Sequence, residues 1–92
     1  MTTTLNLPDG YDEYDWRDVE AKGWLESAKV WRDGREYSVA FYDPVRLAQE
    51  VASDLSRGRY FSAERLLVVP SVTVENMADA VSKAPPGFFG PA

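Results

Sequence analysis

The densest set of reactive side chains is a run of carboxylates near the start of the chain: Asp9, Asp12, Glu13, Asp15, Asp18 and Glu20, with Arg17 the one cation among them. Clustered carboxylates can ligate Ca²⁺ or Mg²⁺ through their oxygens. A helix–loop–helix calcium site, however, needs acids at alternating positions, a central glycine and a bidentate Glu further on. That spacing is not met, and no metal ligand is assigned. The simplest reading is a solvated acidic arm. Tyr11, Tyr14 and Trp16 interleave with these acids, and such a mixture can present a phosphate-like surface to a basic protein. On that reading Asp12, Glu13 and Asp15 contact the partner.

A second candidate is the cationic stretch Arg57-Gly58-Arg59-Tyr60-Phe61 with Arg65. Arginines beside aromatics can bind a nucleic-acid strand by stacking and phosphate pairing. Here the patch is short, Gly58 reads as a helix stop and Phe61 as a core plug, so no nucleic-acid partner is expected. Paired acids such as Glu26 with Glu36, or Asp43 with Glu64, would suit acid–base catalysis only if a cleft brought them together. Ser27 and Ser38 lie near Lys29, but a Ser–Lys nucleophile needs burial and an oxyanion site. On an exposed strand Lys29 reads more simply as a guard against edge-to-edge pairing. The chain has neither Cys nor His, which removes thiol chemistry, Cys/His zinc sites and imidazole dyads. Gly-rich phosphate loops are absent too. No catalytic residue and no cofactor is assigned, and the expectation is a protein that is not an enzyme.

The elements that would position any surface start from Asp33-Gly34, which separates two runs with strand character, Trp24–Arg32 and Arg35–Tyr42. Asp-Gly fits the two positive φ angles of a type I′ hairpin turn. The register then sets Val30 opposite Tyr37, Ala28 opposite Val39 and Glu26 opposite Phe41. A core face follows, with Trp24, Ala28, Val30, Tyr37, Val39 and Phe41, on which Glu26 is a misfit. The second face carries Leu25, Ser27, Lys29 and Trp31 opposite Tyr42, Ala40, Ser38 and Glu36, as expected of the wetter side of an antiparallel pair.

Asp43 reads as an N-cap and Pro44 as the first residue of a helix that Gly58 ends. Val45, Leu47, Ala48, Val51, Ala52 and Leu55 form its apolar side, expected to cover the hairpin. The run Leu66–Val69, stopped by Pro70, predicts a sheltered third strand that returns parallel to the second through a right-handed crossover. It is placed beside the first hairpin strand, in the order 2-1-3, with pairing to the second strand as the alternative. Thr73 caps a last helix, on which Val72 and Met77 form a hydrophobic staple. The expected fold is α+β: a small ββαβα domain, residues 23–84, with a three-stranded sheet and two helices packed on one face. Residues 1–22 are an acidic N-terminal arm, in which either Asp15 caps a short helix through Ala21 that Gly23 ends, or the chain crosses the second hairpin face. Residues 85–92 are an irregular C-terminal tail.

Charge is unevenly distributed. The net charge is −5, and residues 1–22 hold six acids against Arg17 and Lys22, leaving −4 there and −1 in the rest. No segment reads as a membrane span or a secretory leader, so a cytoplasmic protein without a membrane partner is the default. In size and acidity the chain resembles immunity proteins that neutralise basic toxins, which implies a basic partner for residues 9–20. The broader expectation is a non-catalytic protein-interaction module that binds a protein partner or itself as a homodimer. Leu25, Trp31 and Tyr42 on the second hairpin face, with Phe88 and Phe89 on the tail, are its candidate contacts. The alternative class is a small carboxylate-based metal- or ligand-binding protein or enzyme.

Overall fold

The computed structural model describes residues 3–85 and 87–89. In chain order the elements are β1 (Thr3–Asn6), α1 (Glu13–Lys22), β2 (Trp24–Arg32), β3 (Arg35–Tyr42), α2 (Pro44–Ser56), β4 (Leu66–Val68) and α3 (Val74–Ser82). The fold is α+β, with one four-stranded sheet in the order β1-β2-β3-β4. The first three strands are antiparallel neighbours, and β4 joins β3 in parallel. Two expectations about the sheet are thereby corrected. A fourth strand comes from the segment read as an arm, since Thr3–Asn6 pair with Lys29–Arg32. With that flank of the hairpin taken, β4 pairs directly with β3.

Local chemistry explains most element boundaries. At the hairpin turn Asp33 and Gly34 adopt φ of 51° and 80°, as a type I′ turn requires. The N-cap of α1 is Asp12, not Asp15. Its side chain accepts from the Asp15 amide at 2.9 Å while the Asp15 carboxylate accepts from the Asp12 amide at 3.0 Å, a reciprocal capping box. Gly23 ends α1 at φ 80°, donating to the Val19 carbonyl at 2.9 Å. Asp43 and Thr73 cap α2 and α3 by accepting from the Arg46 and Asn76 amides. These caps satisfy donors that would otherwise be left unpaired at helix N-termini.

One irregularity reassigns both faces of the hairpin. Leu25 pairs with Phe41 and Ala28 with Val39, so Glu26 and Ser27 together stand opposite Ala40 as a β-bulge. The extra residue shifts the side-chain alternation by one. Leu25 moves onto the core face beside Phe41, and Trp24, opposite Tyr42, moves to the second face. The misfit of Glu26 on an apolar face disappears. Leu25 is 4% exposed, and Ala28, Val30, Val39 and Phe41 are as deeply buried. The core is completed by Val19 of α1, Met77 and Val81 of α3, Val69 and Val72 after β4, and Phe89.

The helix layer differs from expectation for a linked reason. Helices α1 and α3 cover the core face, whereas α2 has no buried residue. It runs by the second face, where Arg46 lies over the Trp24 ring at 6.0 Å. A crossover of fixed hand that ends on the opposite flank of the hairpin must pass over the opposite face. Placing β4 beside β3 therefore takes α2 off the core. Leu47 and Val51 are only partly buried, and Leu55 and Val68, also expected in the core, are more than half or about half exposed at 56% and 50%.

Candidate functional site

The second face of the sheet holds the features that the core does not explain. At its β2–β3 end the bulge turns Glu26 toward Tyr42, whose hydroxyl donates to the Glu26 carboxylate. Tyr42 is itself buried. From α2, Arg46 donates to Glu50 at 2.5 Å and covers the Trp24 ring. The Tyr42 phenol titrates above the ordinary tyrosine range, first because of burial, then because of the bond to Glu26 and the nearby Glu26 and Glu50 charges, which Arg46 partly offsets.

The sign of that shift makes a prediction. An unfolded tyrosine ionises near pH 10, whereas folded Tyr42 keeps its proton to higher pH. Its contribution is thus complete below about pH 10 and declines as pH rises further. Urea unfolding between pH 8 and 11 should show Tyr42→Phe losing less stability across that interval than the parent. Parallel profiles would contradict the assignment.

Two clefts flank Glu26. One of about 380 Å³ is lined by Tyr11, Val19, Lys22, Trp24, Leu25, Glu26 and Ser27, beside the half of β2 that β1 does not pair. The other, about 280 Å³, lies between β3 and the loop containing Ser62, Ala63 and Glu64. The second is lined by Ser38 and Ser62 beside Glu26 and Glu64, all four of them exposed. Ser38 accepts from Lys29 Nζ at 2.7 Å on an exposed strand face. Among the described residues no group of three or more Asp or Glu side chains could hold a metal ion. No described helix is long and apolar enough to cross a membrane.

The larger feature is on α2. Its inward side is formed by Arg46, Leu47, Glu50, Val51 and Asp54, all partly buried. The rest of the apolar side faces away from the sheet: Val45, Ala48, Ala52 and Leu55 are exposed, Val45 at 68%. Their spacing of three, four and three residues lines them along one face of the helix. A helix that is amphipathic in sequence therefore shows a good part of its apolar stripe to solvent. The radius of gyration, 13.8 Å, exceeds the ~12 Å typical of a 92-residue globule, in keeping with a helix that stands at the periphery.

The residues singled out as partner contacts are dispersed. Leu25 is in the core, a correction that follows from the bulge. Tyr42 is buried beneath α2 rather than offered at the surface. Trp31 is exposed at 45%, opposite Glu36 and Thr4, at the far end of the second face from Trp24 and Tyr42. Asp12 and Asp15 are engaged in the capping box, and Glu13 accepts from Arg17 at 2.8 Å on an exposed face of α1. The tail aromatics fold back: Phe89 is buried, with Tyr37 at 5.4 Å and the Arg32 guanidinium over its ring at 5.1 Å, and Phe88 packs edge-on against it. Phe89 thus closes the core from a segment that has no helix or strand among its described residues. Pro86 and residues 90–92 of that tail lie outside the described residues.

The exposed stripe of α2 was not among those contacts. Its signal was present, since Val45, Ala48, Ala52 and Leu55 stood out as apolar, but apolar spacing marks a face that needs cover without saying what supplies it. Set against models of known protein families, curated proteins and solved structures, the chain shows no significant match to any.

Proposed function

We propose that the protein is a non-catalytic protein-interaction module whose contact surface is the outward stripe of α2. The observation that carries this reading is the mismatch on α2: the helix has clear amphipathic patterning, yet no residue of it is buried. Val45 and Leu55 together expose two branched side chains on one helical face, with small Ala48 and Ala52 between them. Exposed apolar groups scattered singly are ordinary, whereas a contiguous stripe on a regular element marks an association surface. The absence of Cys and His from the sequence and the solvated setting of Ser27, Ser38 and Lys29 give no support to chemistry at the same face.

A photo-reactive residue in place of Ala52, introduced in the cells that produce the protein, tests the reading. Cross-linked species of higher mass are expected from position 52 and not from Glu64, which is also exposed, on the loop after α2. A stripe that yields no protein cross-link would sink the reading.

A further inference from the structure

We infer that the occupant of the α2 stripe is the same helix of a second copy of this chain, packed antiparallel about a two-fold axis. The inference rests on the interaction reading above and deepens it. Reversal of α2 about residue 50 exchanges Val45 with Leu55 and Ala48 with Ala52, so the order of side chains along the stripe is large, small, small, large in both directions. A two-fold contact requires that a residue meeting its counterpart in one copy be met by it in the other. Centred on residue 50, such a contact sets Val45 against Leu55 of the second copy and Ala48 against Ala52, large against large and small against small. The two central alanines let the helix axes approach closely, and the branched residues close the ends.

Charge favours the same occupant. Gln49, Val51 and Ser56, which flank the stripe, are uncharged, and Arg46 and Arg57 balance Glu50 and Asp54 across residues 44–57. A neutral stripe with neutral margins selects an equally neutral partner and gives a basic one nothing to pair with. The acidic surplus of residues 9–22 lies largely on α1, which packs on the opposite face of the sheet from α2. Two copies joined at α2 therefore bring no run of like charges together at the contact.

Area sets the strength. Thirteen residues make a helix ~20 Å long, and a strip of that length is well below the ~800 Å² per partner of a standard stable interface. The dimer is therefore weak and concentration-dependent, with a dissociation constant on the order of 100 μM.

Sedimentation equilibrium of the purified chain from about 10 μM to 1 mM tests this directly. The average mass should rise toward that of a dimer, and Ala48→Glu should raise the dissociation constant at least tenfold. Tyr60→Glu, which adds the same charge at a fully exposed loop position, should leave it unchanged. Because both alanines are exposed, the Glu variant keeps its helix content, which circular dichroism verifies. The chain has no cysteine of its own, so a second measurement is available. Mixed under oxidation, Ala48→Cys and Ala52→Cys chains should form the mixed disulfide in preference to either homodisulfide. A monomer at 1 mM, or preferred 48–48 and 52–52 bridges, would overturn the proposal. Cross-links from position 52 to a different protein, with the purified chain monomeric, would remove the second copy while leaving the interaction reading standing. No cross-link from position 52 and no dimer would remove both.

Discussion

Leu25→Ala is expected to destabilise the domain by about 2–5 kcal/mol, the range for a leucine truncated in a closed core, and Trp31→Ala by no more than about 1 kcal/mol. The contrast runs against the unbroken alternation of the hairpin, which puts both residues on one half-polar face. The bulge at Glu26-Ser27 separates them. Leu25 packs beside Phe41 under α1, whereas Trp31 stays 45% exposed at the other end of β2. The loss at Leu25 has two parts, the transfer free energy of the missing methyl and methine groups and the void they leave. The void collapses poorly, because Val19, Phe41 and their neighbours are held by separate elements. Urea unfolding followed by far-ultraviolet circular dichroism reads both variants without depending on tryptophan emission. Equal effects at the two positions would mean that the strand pairs without the bulge.

Gly23→Ala should cost a comparable amount, about 2–4 kcal/mol, although it adds one methyl group and removes nothing. Three effects add. The residue sits at φ 80°, where a side chain costs roughly 1–2 kcal/mol. A Cβ there would run into the Asp43 carboxylate and lie 2.9 Å from Arg46 Cβ, closer than atoms can remain. Moving the Asp43 carboxylate aside breaks its 2.7 Å bond from the Arg46 amide, and an N-cap of this kind contributes ~1 kcal/mol. Gly10→Ala and Gly34→Ala provide the comparison: both glycines have positive φ, but an added Cβ meets nothing within 4 Å. Those variants should carry the backbone strain alone. If all three substitutions cost the same, the packing of Gly23 against the α2 cap is not what holds it.

Local features were legible in the sequence because their causes are local. Asp33-Gly34 demands positive φ twice, and Asp43-Pro44 and Thr73 carry their own capping chemistry, so the turn and two helix starts follow from a few residues each. The bulge left a faint trace: an acid on the apolar face and a leucine on the polar one, both at the same point in β2. Such a pair of misfits is what a one-residue slip produces, but read singly each is tolerable. Strand β1 has one apolar residue, Leu5, in four, and its pairing with Lys29–Arg32 is a distant contact that no periodicity announces. The choice of flank for β4 was equally hidden, because both edges of the hairpin were open in the pattern. The cover of the second face was hidden with it, since the side of the sheet taken by α2 depends on that flank.

Helix α2 has no buried side chain, and this bears on how the molecule breathes. Lifting or fraying that helix wets Tyr42 and the Trp24 ring but leaves the core cluster on the other face closed, so its amide protons need not wait for the whole domain to unfold before they exchange with deuterium. The amides of β2 and β3 that bond across the core hairpin have no such shortcut. Native-state hydrogen exchange should resolve the chain into two tiers, with α2 exchanging at a free energy below the global value and the hairpin at it.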